Sequence, residues 1–586
     1  TVMGIKGEPA TPDDAALGLV WSAILVQIDN AGSESEFVSV ADTARSVFGR
    51  HPWRIGGGGA ADLKETIEAA GIGAFGGRAT AMGFFGISAA DEIMLADAAS
   101  LRRRGVETER LRPVISGDEV RDWSAAPQFE ALFPYDTDGL VSIESSKGAH
   151  RWLWPAKTYL GARVTFAKKT YLEEGRPWWE WHQIALDRIK TPLTITFGEV
   201  ATHNHFVLDR GGKVFNRTAP VIKLPAGAGE DEHLGLLGLL NSSVAGFWLK
   251  QVCFPKGGDQ VGGEGARVRK TMWDERYAFN SSNISEFPLV DNRPTDVATQ
   301  LDAQATSLVG MQPAALMAAA DVGTSPVPSR AILDDARSTA EQLRRQMIAQ
   351  QEELDWRCYR LYGLLPANSD VSRFEYPAPI EIGLGERAFE IVLARRMAAG
   401  KESTVWFERH GSTSVTEVPG HWPEDYRRVV QQRIDLIESD RSIALIERPE
   451  YKRRWNGPSW ESLEKVALRD WLLARLELPK YWTSGTDQSP QFTSTSRLAD
   501  VVRHDAEFIQ IAAVYAGHPD FGMNQLVADL VASEAVPFLP VLRYADSGLR
   551  KRAQWEDTWA LQRREDAGEH VGRIPVPPKY QSKDFL

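Results

Sequence analysis

Two histidines one residue apart, His203 and His205, flank Asn204 in the segment ATHNHFVLDRGGKVFNRTAP. Side chains alternate between the faces of a strand, so both imidazoles point to one side. With a carboxylate such as Glu199 or Asp209 they offer a donor set for a divalent metal, as in a metal-dependent hydrolase. The H-x-H spacing alone is weak, and a His-Asn-His nuclease spreads its residues over a longer ββα unit. The same neighbourhood suits a second chemistry. Asn204 and Asn216 match adenine edges in a major groove, and Arg217 matches guanine. Asn216 and Arg217 are equally suited to holding a turn through backbone hydrogen bonds.

Upstream, residues 151–190 interleave Trp152, Trp154, Tyr159, Phe166, Tyr171, Trp178, Trp179 and Trp181 with Lys157, Arg163, Lys168, Lys169, Arg176 and Arg188. Cations for phosphate and flat rings for exposed bases are what a nucleic-acid surface uses. Taken singly, most of these rings belong in a core. Downstream, a glycine-rich stretch carries Lys256, Arg267, Arg269 and Lys270, charges that suit a phosphate backbone, and Lys250 lies just before it. Residues 151–280 hold 18 Lys and Arg against 13 Asp and Glu, in a chain whose net charge is -12. That local basic balance points to a polyanion-binding middle.

The elements that must position these residues follow from periodicity. Phe206-Val207-Leu208, then Asp209-Arg210-Gly211-Gly212, then Val214-Phe215 predict a hairpin about a turn that tolerates positive φ. Leu234, Leu237, Leu240, Val244, Phe247 and Trp248 recur at three- and four-residue spacing and predict one helix with an apolar stripe, preceded by Asp231 and Glu232. Ala89 to Leu101 predicts a helix ending at Arg102, Arg103 and Arg104, a cluster that either complements the helix dipole or contacts phosphate. Ala331 to Tyr362 predicts a long helix capped at Gly363, on which Glu352, Glu353 and Asp355 read as surface or N-terminal helper charges and not as a catalytic pair. Lys452, Arg453, Arg454 and Arg550, Lys551, Arg552 are further candidate phosphate contacts.

Two glycine signals are weaker. Gly71, Gly73 and Gly76 satisfy G-x-G-x-x-G but follow a helical stretch, where a dinucleotide site needs a strand. Gly56 to Gly59 lacks the Gly-Lys-Ser/Thr of a phosphate loop. With 43% hydrophobic and 25% charged residues over 586 positions, the chain has the composition of a soluble multidomain globular protein. Two cysteines leave no disulfide framework and suit a reducing cytoplasm. The apolar run Leu17 to Ile28 is too short for a membrane span.

Several long segments together carry a family likeness. TFGEVATHNHFVLDRGGKVFNRTAPVIKLP, LLGLLNSSVAGFWLKQVCFPKGG, SEFPLV and QEELDWRCYRLYGL resemble the portion after the catalytic core in large adenine-specific DNA methyltransferases of the fused restriction-modification type. The likeness is to the PglX-type enzymes of BREX phage-defence systems; RIGGGGAADLKETIE, IERPEYKRRW and IPVPPKYQSKDF share it. The resemblance implies methyl transfer from S-adenosylmethionine to the N6 amine of an adenine flipped out of the duplex. It implies double-stranded DNA as partner, with other defence proteins or phage inhibitors beside it, and a cytoplasmic location. The tetrapeptide Asn/Asp-Pro-Pro-Tyr/Phe/Trp of that family is absent; the Pro-Pro of this chain sits in Val576-Pro577-Pro578-Lys579-Tyr580. A lysine cannot accept the adenine amine hydrogens. The chain thus reads as the later part of such an enzyme, a fragment or one piece of a split protein, with the cofactor bound mainly by residues elsewhere.

The expected architecture is mixed α+β and multidomain. Residues 1–105 belong to a remainder or insert of the methyltransferase core, 106–300 to a hairpin-rich target-recognition domain braced by helices, 301–370 to a helical linker, and 371–586 to an α-rich C-terminal domain. Within it the expected DNA contacts are Lys157, Lys168, Lys169, His203, Asn204, His205, Asn216, Arg217, Lys250, Lys256, Arg267, Arg269 and Lys270. A metal-dependent nuclease and a non-catalytic interaction scaffold are the competing functions.

Overall fold

The computed structural model describes residues 1–5, 7–8, 11–43, 45–49, 57–257, 272–321, 323–366, 370, 373–378, 380–484, 489–491, 493–532 and 544–585. The fold is mixed α+β, with small sheets concentrated before residue 290 and helices dominating after it. No described helix is long and apolar enough to cross a membrane.

Strand Phe206–Asp209 pairs antiparallel with Thr194–Phe197, in the register Phe197 to Phe206 and Thr194 to Asp209. That sheet continues through Val221–Lys223 to Ala81–Gly83. The expected hairpin does not form. Its turn has the foreseen chemistry, with Gly211 and Gly212 both at positive φ and the Gly211 N–H donating to Asp209 Oδ2 at 3.0 Å. Yet Val214–Phe215 leaves for a second sheet and lies parallel to Leu111–Ile115. The reason is burial on both sides of the strand. Phe206 and Leu208 enter one hydrophobic core while Val207 joins Val214 and Phe215 in another, so neither face is left for a simple ribbon.

The helix expected over 231–252 is two helices, Glu230–Leu240 and Ser243–Val252. Asn241 breaks them apart by turning its carboxamide onto strand 206–209: Oδ1 accepts from Phe206 N at 3.0 Å and Nδ2 donates to Phe206 O at 2.8 Å. Ser242 then caps the second helix through Ala245 N. Every residue from His233 to Lys250 is buried, so this is a helix pair enclosed on all sides. Gly235 and Gly238 make the enclosure possible. A Cβ at either would stand within 3.0 Å of Thr295 or Ala298, on helix Thr295–Met311.

Helix Arg330–Leu361 forms as expected, with Ser329 accepting from Ile332 N and Gly363 at φ 68°. At about 1.5 Å per residue its 32 residues span about 48 Å. Its first turn buries Leu333 in a helical cluster with Leu468, Leu472, Phe508 and Val527, and its second half lies in the large core with Trp248 and Ile391. The helix predicted over 89–101 is split into Asp91–Met94 and Ala98–Arg103, because Leu95–Ala96 pairs with strand Phe129–Leu132. The last long helix, Asp546–Asp566, crosses back to residues 154–158.

Candidate nucleic-acid interface

The segment 200–206 brings His203 and His205 to a loop from another strand pair, where Asp122 follows Val120–Arg121. His203 Nε2 faces Asp122 Oδ1 at 3.3 Å, and the Asp122 N–H donates to His205 Nδ1 at 3.0 Å. The Trp455 N–H donates to Asp122 Oδ2 at 2.6 Å. Three of the five described non-glycine residues at positive φ meet here: Asp122, Trp123 and Trp455. Such backbone persists only where surrounding contacts over-determine it.

Burial, reinforced at His203 by the neighbouring His205, holds both imidazoles below the ordinary histidine range. Burial alone would raise Asp122, but the facing imidazoles, His203 above all, outweigh it and hold the carboxyl well below its usual range. Donor atoms of Asp122, His203 and His205 lie within 4.8 Å of one another, close enough for a metal ion. The chemistry of the donors opposes one. The His205 Nδ1 lone pair already accepts the Asp122 N–H, and the Arg454 guanidinium stands 3.8 Å from Asp122 Oδ1, where a second cation would be repelled. Neither expected carboxylate joins the group: Asp209 pairs with Lys213, and Glu199 precedes strand Val200–Ala201, its backbone N–H donating to Thr218 O.

The cluster opens onto a larger buried polar network. Arg454 donates to Asn204 O at 3.1 Å and Asn241 O at 2.6 Å. Asn204 itself donates to Leu240 O and Ser242 O. Gln351 accepts from the Trp123 indole at 2.8 Å and donates to Asn241 O and Asp355. Asp355 accepts from Ser243 N and Oγ. The Lys452 ammonium lies 2.8 Å from Asp355 and 3.1 Å from each of Glu352 and Glu447, with 1% of its side chain exposed. Burial pushes Glu352 up to about 7 against the opposing pull of Lys452. Glu353 pairs with Arg433 at 2.7 Å. Glu352, Glu353 and Asp355 are therefore core charges, not the surface charges expected of them. Lys452 and Arg454 are likewise buried, and Arg453 is paired with Asp274, so this trio is not a phosphate contact in this conformation.

The expected DNA contacts divide sharply. His203, Asn204, His205 and Lys250 are buried and bonded within the protein. Lys250 donates to Glu450 O between the Tyr277 and Tyr451 rings, and burial depresses its ammonium to about 7. Lys157 is held by Glu565 and Asp566 at 2.8 and 2.7 Å. Asn216 turns its Oδ1 onto Thr218 N and Oγ1, the turn-holding role. Lys168, Lys169, Arg217 and Lys256 are exposed. Arg267, Arg269 and Lys270 lie outside the described residues. Of the other arginine clusters, Arg103 pairs with Glu477, Arg102 with Glu130, Lys551 with Asp584 and Arg552 with Glu556.

Sequence reasoning missed Asp122, Gln351, Glu447 and Arg344, which donates to Trp455 O beside Asp122. One signal was present: Glu352, Asp355 and Tyr359 share a helical face with the apolar residue Ile348 and adjoin Trp356, and acids at such positions are buried acids. The glycine run is structural. Helix Ala60–Ala69 precedes it, Gly73–Ala74 pairs with Pro288–Leu289, and a Cβ on Gly71 or Gly76 would meet Pro288 or Ser285. It does not present a helix N-terminus to a cofactor. The Pro-Pro segment is structural too: Pro578 O accepts from the Trp555 indole, and Lys579 pairs with Glu92 over the Tyr159 ring.

Residues 347–586 match a family model described as a domain of unknown function (DUF7008). That model begins inside helix Arg330–Leu361, so the matched region takes Glu352 and Asp355 together with Lys452 and Arg454, while their partners Asn204, Asn241 and Ser243 precede it. In sequence the chain is similar to a methyltransferase of the PglX type. It is 48% identical, over an alignment of 596 positions, to the adenine-specific methyltransferase PglX of Streptomyces coelicolor (strain ATCC BAA-471 / A3(2) / M145). The alignment covers 100% of this chain and 48% of the relative, so the chain spans about half of that relative's length.

Proposed function

We propose that this chain is the DNA-recognition portion of an S-adenosylmethionine-dependent, adenine-N6 DNA methyltransferase acting in cytoplasmic phage defence, of BREX or restriction-modification type. The observation that carries this reading is the end-to-end likeness to a protein named as an adenine-specific methyltransferase. The exposed cations Lys168, Lys169, Arg217 and Lys256, all within 106–300, supply the phosphate-binding chemistry it needs. The cofactor and the catalytic tetrapeptide are assigned to residues outside this chain, because these 586 residues hold no such tetrapeptide and their G-x-G-x-x-G run serves sheet packing. The buried network of Asp122, His203, Arg454 and Lys452 has the role of locking the recognition region to the helical C-terminal region, so that DNA contact and partner contact move as one body.

Fluorescence anisotropy with a short labelled duplex tests the reading across a salt series. Binding at low salt, with a slope of log K on log salt that falls by about 0.9 for each phosphate contact removed, is the expected result. Absence of binding at low salt overturns it.

A further inference from the structure

Residues 164–170 form a small projecting turn whose composition the fold does not require. Val164 bridges Thr170, the Thr165 N–H donates to Lys169 O at 2.8 Å, and the Lys168 N–H donates to Thr165 O at 3.0 Å. Lys168 sits at φ 60°, away from the Asp122 cluster where most such residues gather. The base of the turn is rigid. Thr165 Oγ1 donates to Glu174, Thr170 and Glu173 form a reciprocal helix cap, and the Tyr171 N–H donates to Arg163 O. Arg163 is buried, donates to Ser88 O, Trp178 O and Glu180 O, and stacks on Tyr171. This rigid base presents apolar side chains to solvent: Phe166 is 77% exposed, Val164 57% and Leu172 59%. The Phe166 ring lies tilted beside His182, its centroid 5.4 Å from that of the imidazole.

A single exposed apolar residue is ordinary. Here the exposed ring stands at the tip of a braced turn, with Lys168 and Lys169 two and three residues away, and Lys169 and Arg573 of the C-terminal segment both act electrostatically on Glu173 at its base. Cations beside a projecting aromatic ring match the surface of a nucleic acid, where phosphates lie a few ångströms from stacked bases, and not an apolar protein groove. We propose that Phe166 is a wedge that enters a base step of duplex DNA while Lys168 and Lys169 hold the adjoining phosphates. This rests on the DNA-binding reading above and adds to it a residue that deforms the duplex, easing extrusion of the target base.

The experiment compares the full chain with Phe166→Ala and with Lys168→Ala/Lys169→Ala on two labelled duplexes, one fully paired and one with a central mismatch. A wedge gains from a step that is already unstacked, so the wild-type chain binds the mismatched duplex more tightly. Phe166→Ala loses about tenfold in affinity on the mismatched duplex, the scale of one aromatic–base stack, and loses the preference, with an unchanged salt slope. The double lysine variant lowers the slope by about 1.8 and keeps the preference. Failure of the wild-type chain to bind either duplex overturns the DNA reading itself. Binding by the wild-type chain with Phe166→Ala indistinguishable from it, or with equal losses on both duplexes, overturns the wedge alone. Phe166 is exposed, so its removal leaves the thermal midpoint in place, which a melting curve verifies.

Discussion

Replacing Lys452 by methionine removes the ammonium that Glu352, Asp355 and Glu447 share at 2.8 to 3.1 Å in a site that water does not reach. Methionine fills nearly the same volume, so the loss is electrostatic and not a cavity. Breaking a buried pair by removing one partner costs about 3–5 kcal/mol, because the remaining charge stays desolvated. The cost depends on pH through Glu352. Its folded carboxyl is raised from 4.5 to about 7, so the folded state binds the proton more tightly than the unfolded chain does. The stability from that group is complete below about pH 4.5 and is lost as pH rises through 7, by about 1.4 kcal/mol per unit. Without Lys452 the pull that lowers Glu352 is gone and its titration moves higher still. Lys452→Met is therefore expected to cost about 3–5 kcal/mol at pH 8 and at least about 1 kcal/mol less at pH 6. Urea unfolding followed by tryptophan fluorescence reads this, because Trp356 and Trp406 are buried beside the site. Adding Glu352→Gln to the variant restores part of the loss at pH 8. A cost under about 1 kcal/mol, or one equal at the two pH values, refutes the reasoning that the three carboxylates depend on this lysine.

Lys250→Met is expected to leave the salt slope of DNA binding unchanged, since its ammonium is buried against Glu450 O; a slope reduced by about 0.9 assigns it to a phosphate after all. Asn241→Leu, which strands both backbone groups of Phe206, is expected to destabilise the chain by about 2–4 kcal/mol in urea melts. Treatment with a chelator is expected to leave the melting midpoint unchanged, because Asp122 and the two imidazoles are satisfied by protein partners; a chelator-induced drop overturns the reading of this cluster as metal-free. Deletion of residues 371–586 takes away Arg433, Lys452 and Arg454 and leaves Glu352, Glu353 and Asp355 buried without cations, so the remaining piece is expected to be insoluble or unfolded by circular dichroism.

Helix Arg330–Leu361 was legible because its caps and its period are local: Ser329 and Gly363 lie within a turn of the ends they close. The turn at 209–212 was legible for the same reason, as its glycines at positive φ show. What the turn connects was not. Two strands joined by four residues usually pair, but Val207 and Leu208 face different cores, and the segments that fill those cores, Leu111–Ile115 and Glu230–Leu240, are remote in sequence.

The candidate residues divide along the same line. By itself the sequence determined the likeness to a PglX-type methyltransferase, the mixed α+β class and the concentration of cations and rings in residues 151–280, because these reside in residue identity and order. Only the tertiary structure decided which of those cations meet solvent. Lys168 and Lys169 stand on a projecting turn, while Lys250, Lys452 and Arg454 are desolvated among acceptors donated by segments up to 250 residues away. A lysine has the same charge and the same helical spacing in either place. Its fate depends on whether carboxylates and carbonyls from distant strands and helices converge on it closely enough to replace water.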